Sequence, residues 1–347
     1  MQRFLDIQAH YREAGLDTRE VKHAQVVQRI ANLPPMFTVS PVGESVEGRT
    51  IYGIRAGTGA TRVLLWSQMH GDESTATRTL FDVFNFLAAS DRHNRWREKT
   101  MSQLSLCFIP MLNPDGAECN RRENACGIDI NRDARRCTTP EGRILHNLTG
   151  TFAPHFSFNL HDQESYYSAG ASPVPATIAF LAPPADIQES IPDNRRRAMQ
   201  LIVWLNRKLQ AIIPHGVAKW SDAYEPRAFG EWSQAQHSAT ILVESGGYYN
   251  DPQREFVRKI HFGILLEALS AIASFDYAGE PLSPYFAIPQ NRENGMFDSL
   301  QRQQTLTIHG TTYITDIGFR KGEQFAGDFE SFGSLEADER MKADESG

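Results

Sequence analysis

At 347 residues, with 41% hydrophobic and 22% charged side chains, the chain can bury a sizeable core, as one large α/β domain with a small appendage or as two modest domains. The formal net charge is −7, and basic residues occur singly or in short clusters such as Arg195-Arg196-Arg197; both argue against an extended nucleic-acid-binding surface, while leaving room for a local anion site. No apolar run is long enough to cross a bilayer, and the start Met1-Gln2-Arg3-Phe4-Leu5-Asp6 lacks a leader pattern, so no membrane partner and a cytoplasmic location are expected.

Residues 6–33 read as helix and turns, and 36–54 as short strands punctuated by Pro34-Pro35 and Gly57-Thr58-Gly59. Residues 62–67 form a buried strand. Helical periodicity follows over 74–89 through Ala76, Leu80, Val83, Phe84 and Leu87. The next strand is 104–109, stopped by Pro110 before Asn113-Pro114-Asp115-Gly116, and another is 156–160. Residues 195–213 carry apolar positions at Met199, Ile202, Val203, Leu205 and Leu209 and predict a surface helix that covers a sheet. Residues 240–243 predict a strand that ends at Glu244, and 256–275 a further helix.

Strands alternating with helices favour a three-layer α/β/α fold with a mixed central sheet over residues 1–280. Thr305 to Thr315 then reads as strand, turn and strand within a small β appendage at 286–335. A flexible polar tail closes the chain at 336–347. The cysteines Cys107, Cys119, Cys126 and Cys137 lack zinc-ribbon spacing and read as reduced thiols with Cys107 in the core; a disulfide among the last three stays open.

The apolar run at 62–67 leads into Ser67-Gln68-Met69-His70-Gly71-Asp72-Glu73, and the run at 156–160 into His161. Two imidazoles and a carboxylate thus fall at the strand ends, where an open α/β sheet binds its ligands. Nitrogen and oxygen donors without a nearby thiolate suit one zinc ion with a coordination position left for water. His70-x-x-Glu73 alone is a weak signal, and the weight comes from its company.

In the order His70-Gly71-Asp72-Glu73, Asn113-Pro114-Asp115-Gly116, Arg122, Gly127-Ile128-Asp129-Ile130-Asn131-Arg132, His161, Glu244, the chain resembles the M14 zinc carboxypeptidases, of carboxypeptidase A-like fold, as a bacterial-type cytosolic member. The resemblance covers roughly residues 45–275. It implies that His70, Glu73 and His161 bind zinc and that Glu244 is the general acid/base. It further implies that Arg122 polarises the scissile carbonyl, that Asn131 and Arg132 hold the substrate's terminal carboxylate, and that Asp129 accepts a hydrogen bond from the His70 imidazole.

Physical chemistry is consistent with these roles. A zinc-activated water needs a base that receives and returns its proton, and Ser245-Gly246-Gly247 leaves space beside the Glu244 carboxylate. Arg132 offers a planar donor array for a carboxylate. Asp129 and Asn131 share a face if that segment is extended.

Tyr224 is the nearest match to the family's mobile-loop tyrosine, with Tyr248 and Tyr249 competing. Phe229 falls where side-chain preference is set and favours a neutral or apolar leaving residue. The expected activity is hydrolysis of the last amide of short peptides. The alternatives are removal of the acyl group from an acylated amino acid at the same site, and noncatalytic peptide binding.

Overall fold

The computed structural model describes residues 1–336; from residue 337 on, the tail expected at 336–347 lies outside the described residues. Its middle layer is an eight-stranded sheet. The strands are β1 Thr38–Glu44, β2 Thr50–Ala56, β3 Thr61–Ser67, β4 Leu104–Ile109, β5 Phe156–Asp162, β7 Ile178–Leu181, β8 Val217–Lys219 and β9 Ala239–Ser245; the two-residue strand β6, Ser168–Ala169, lies outside the sheet. Across the sheet the order is β1-β2-β4-β3-β5-β9-β7-β8. The centre β4-β3-β5-β9 is parallel, whereas β2 on β4 and β7 on β9 run antiparallel, so the sheet is mixed as expected.

Alternation along the central strands sorts side chains into two layers. Val63 and Leu65, Phe156, Phe158 and Leu160, and Ala239, Ile241 and Val243 join one large core, together with buried residues of the helices Thr75–Ala88, Asp193–Leu209 and Glu255–Ser274. Leu64 and Trp66 face the other way, into a smaller core shared with the helix Pro140–Phe152 and with Phe229 at the start of the helix Phe229–Ala235. Each fully buried Leu or Phe contributes roughly 2 kcal/mol through area removed from water. The helix Pro140–Phe152, which the sequence reading did not include, has Thr139 as its N-cap, accepting from Gly142 N at 3.0 Å, with Pro140 in its first turn. The helix Asn94–Gln103 was also not foreseen, since its residues are nearly all polar.

The N-terminal region folds as three short helices, Gln2–Leu5, Gln8–Tyr11 and His23–Ile30. After residue 290 come β10 Asn291–Arg292, β11 Met296–Phe297, then the antiparallel β12 Ser299–Ile308, β13 Thr311–Arg320 and β14 Glu323–Gly327, and last β15 Gly333–Ser334. His309 and Gly310 both take positive φ in the two-residue turn between β12 and β13, the backbone such a hairpin requires. This segment is tied to the loop after β5 by β10 pairing with β6 and by Asn291 Nδ2 donating to Gln163 Oε1 at 2.6 Å. Cys107 is buried and all four cysteines are free thiols. Among the described residues no helix is long and apolar enough to cross a membrane.

Candidate active site

The second face of β5 carries Ser157, Asn159 and His161, and that of β9 carries Thr240, Leu242 and Glu244, because residues two apart along a strand share a face. The register pairs His161 with Glu244 and Asn159 with Leu242. Ser157 is bonded within the fold to Ser238 and Ser233, whereas Asn159 and His161 carry buried polar atoms toward the site. His161 belongs to the strand itself, which runs to Asp162 rather than stopping at 160.

His70 and Glu73 come from the loop between β3 and the helix Thr75–Ala88. Gln68 takes a positive φ of 48° to turn the chain out of the strand. Gly71 is required three residues later, because a Cβ there would lie 2.0 Å from the backbone carbon of Gly116, in the short helix Pro114–Glu118. That packing holds His70 and Glu73 over the sheet edge. Asn113 caps the short helix by accepting from Gly116 N, and its Nδ2 donates to Arg122 O at 3.2 Å, which brings the Arg122 loop to the same place.

His70, Glu73 and His161 are buried, and one donor atom of each lies within 4.8 Å of the others. His70 Nδ1 is 2.7 Å from Glu73 Oε1, His161 Nδ1 is 2.7 Å from Glu73 Oε2, and the two ring nitrogens face each other at 3.1 Å. Two imidazole nitrogens aimed at one another cannot both carry protons, so the arrangement suits a single positive charge held among the three groups. Burial works against a charged His70, but the Glu73 and Asp129 carboxylates push it up to about 9; burial holds His161 down, with Glu73 opposing. Glu73, despite burial, is lowered by both histidines. The cluster is capable of coordinating one metal ion.

Asp129 Oδ1 lies 3.1 Å from His70 Nε2, and Oδ2 receives Arg122 Nε and Nη2 at 3.0 and 2.9 Å. Arg122 Nη1 reaches His70 Nδ1 at 3.1 Å, so this arginine lies beside the cluster with its side chain half-exposed. The extended backbone expected here is instead a 3-10 turn, Ile130–Arg132, capped by Asp129 Oδ1 accepting from Asn131 N at 2.8 Å. Asp129 therefore caps the turn and faces His70 at once. Asn131 Oδ1 accepts from Phe229 N at 2.9 Å, which leaves its Nδ2 end for a ligand. Arg132 Nη1 donates to Asn131 O, and Nε sits 3.6 Å from Glu225.

Glu244 Oε2 is buried without a hydrogen-bond partner among the described residues. Burial first, then the negative charge of Glu73, raises its carboxyl well above the ordinary range. The glycines after it do not serve to clear space for the carboxylate. A Cβ on Gly246 would lie 1.9 Å from Ala176 O, so this glycine admits the backbone of the neighbouring loop.

Behind the site the buried Arg254 bonds Ser245 O at 2.6 Å through Nη1, donates to Gln163 O through Nη2, and pairs with Asp162 Oδ2 at 3.3 Å. Asp162 Oδ2 also accepts from Thr75 Oγ1 at 2.7 Å. One guanidinium thus ties the ends of β5 and β9 to the start of the helix that follows Glu73.

A cavity of about 600 Å³ opens over these groups, lined among others by His70, Arg122, Asn131, Arg132, His161 and Glu244. Tyr224 and Phe229 do not line it. Phe229 is fully buried and packs edge-on to Trp232 in the second core, and the wall falls instead to Ala228 and Glu231. Tyr248 stacks on Phe256, and the tyrosine that reaches the cavity is Tyr167. Sequence reasoning missed Asn159, Glu231 and Arg254. Asn159 had a readable signal, polar residues alternating with Phe156, Phe158 and Leu160 in an otherwise apolar strand; Glu231 and Arg254 had none.

Residues 23–177 match the sequence profile of the peptidase M14 family, zinc carboxypeptidase. Carboxypeptidase 2 of Trichophyton rubrum is 28% identical over 101 residues, 29% of this chain and 18% of that protein. Carboxypeptidase M of Mus musculus is 26% identical over 145 residues, 37% of this chain and 31% of that one. The chain spans about a fifth of the length of the first of these curated relatives. Among solved structures, a metallo-carboxypeptidase from Burkholderia cenocepacia superposes with a TM-score of 0.58 at 17% identity, over 73% of this chain and 69% of that one, which shows the shared fold. The matched segment, that fold and the His70, Glu73 and His161 cluster at the edge of the sheet together make the chain similar to the M14 zinc carboxypeptidases.

Proposed function

We propose that the chain is a zinc-dependent carboxypeptidase that hydrolyses the C-terminal amide bond of short peptides. The observation that carries this reading is that one cavity brings together a His70-Glu73-His161 cluster suited to a cation, the unpartnered Glu244 carboxyl and the guanidinium groups of Arg122 and Arg132. Zinc held by His70, Glu73 and His161 would supply Lewis acidity, making water nucleophilic near neutral pH and polarising the scissile carbonyl. The protein's own groups do the rest.

Glu244 takes a proton from the attacking water and returns it to the leaving nitrogen, so that hydroxyl adds to the carbonyl carbon and hydrogen to the amine. A carboxyl raised by burial suits both halves of that exchange. Arg122 is fixed by its two bonds to Asp129, which aims Nη1 toward the place where negative charge develops on the carbonyl oxygen. Arg132 and the Nδ2 of Asn131 receive the free carboxylate at the chain end.

Zinc-loaded protein offered a library of free-acid peptides should release C-terminal amino acids. The Glu244→Gln variant should lose that turnover by about 10³-fold while metal analysis still finds one zinc per chain. Equal cleavage of peptides with amidated ends would remove the exopeptidase assignment, and an active Glu244→Gln variant would remove the mechanism.

A further inference from the structure

Resting on the carboxypeptidase reading above, we propose that the inner end of the cavity is a subsite for a cationic side chain on the substrate's terminal residue, with Glu231 as its counter-ion and Asn159 as its hydrogen-bonding wall. The strand register gives the depth. His161 and Glu244 form one row, and Asn159, Leu242 and Leu181 form the next row inward, two residues along the strands, or about 6.6 Å. All three of these inner residues line the cavity, as do Ala228 and Glu231 from the start of the helix Phe229–Ala235. This row therefore passes from the polar Asn159 to the aliphatic Leu242 and Leu181, and Glu231 adds a carboxyl to the same lining.

Both ends of the Asn159 amide, Oδ1 and Nδ2, are buried with no hydrogen-bond partner among the described residues. Glu231 is 8% exposed, and among the described residues it forms no ion pair within 4 Å; its carboxylate meets only backbone N–H groups, its own and that of Glu225. The nearest arginine, Arg132, donates to Asn131 O and faces Glu225. Burial, with Arg132 opposing, raises the Glu231 carboxyl to about 7, and a cationic group placed beside it would favour the carboxylate form.

An apolar terminal side chain would seal these polar atoms off without partners, which disfavours its binding. An acidic one would meet the Glu231 carboxylate. A straight aliphatic stem ending in an ammonium fits on both counts: the stem lies against Leu181 and Leu242, and the head donates to Glu231 and to Asn159 Oδ1. The sequence reading, which took Phe229 as the determinant and expected a neutral or apolar leaving residue, is replaced by this assignment.

The test pairs turnover with binding. Zinc-loaded enzyme is given otherwise identical peptides ending in lysine, arginine, norleucine or glutamate, and calorimetry measures binding of free lysine against free norleucine, which shares the stem and lacks the charge. We expect kcat/KM for the lysine peptide to exceed that for norleucine by roughly 30-fold, with glutamate lowest, and free lysine to bind more tightly than norleucine. Glu231→Gln should abolish the lysine advantage in both assays, bringing the lysine-to-norleucine ratio close to one. Equal handling of lysine and norleucine by the wild-type protein overturns the subsite, whether or not the variant folds. Preferential lysine binding without hydrolysis of any peptide keeps the subsite and sinks the carboxypeptidase reading instead.

Discussion

The rear of the metal cluster and the inner end of the cavity are built on the same two strands, β5 and β9, yet they treat buried polar groups in opposite ways. At the rear, Arg254 and Asp162 draw together Ser245 O, Gln163 O and Thr75, and single atoms of Arg254, Asp162 and His261 are left over while the rest of each group is bonded. At the inner end, Asn159 has no partner for either amide atom and Glu231 has no cation. Leaving such groups unmade costs stability, and a protein retains them where something other than the fold supplies the partner. The contrast separates groups that hold the site from groups that await a substrate.

The largest effect should come from breaking the rear. Arg254→Met removes the cation from Asp162 and two backbone carbonyls at once, and truncating one partner of a buried, hydrogen-bonded ion pair costs about 3–5 kcal/mol. Chemical denaturation should show that loss, while Glu244→Gln, which touches an unpartnered carboxyl a few ångströms away, should unfold at or above the wild-type denaturant concentration. Comparable destabilisation by the two variants would erase the distinction between the regions.

A second test reads the rear through pH. His261 is fully buried, its Nδ1 is 3.0 Å from Ser245 Oγ, and burial pushes it down to about 3. The unfolded chain binds this proton more readily than the folded one. Its contribution is therefore intact above about 6.5, is lost as pH falls through that value, and stops changing below about 3. At pH 5 the loss is roughly 2 kcal/mol. His261→Gln, which keeps a partner for Ser245, should flatten the acid limb of stability against pH; parallel limbs for variant and wild type would show that this imidazole does not set it.

The same contrast explains what was legible beforehand. Apolar runs located the central strands closely: 62–67 became Thr61–Ser67 and 104–109 became Leu104–Ile109, because fully buried parallel strands are written as continuous hydrophobic segments. The metal cluster was legible through the ordered set of motifs and the family resemblance they carry, with strand ends and donor chemistry in support. The strands β7 and β8 were not foreseen; at four and three residues they are too short for a period to show, and pairing of β7 with β9 and of β8 with β7 defines them. Phe229 was misplaced because counting along the chain ignores rotation. In a helix two positions differ by about 200°, so with Phe229 turned into the core, Glu231 faces the cavity. Arg254 could not be read at all, since its partners come from positions 162, 163 and 245 and meet only in the folded chain.

The smallest expected effect is the one that tests the comparison from its weaker side. Asn159→Leu exchanges an unpartnered amide for an apolar side chain of similar volume, next to Leu242 and one row below His161. If the amide is retained for a ligand, its removal relieves a desolvation penalty, and the variant should gain about 1 kcal/mol in chemical denaturation. The same change should weaken binding of free lysine, so stability and affinity move in opposite directions. If instead Asn159 holds the fold together, stability must fall, and affinity for lysine and norleucine must fall together with it. The sign of one modest stability change therefore decides whether the inner row of the sheet is architecture or recognition.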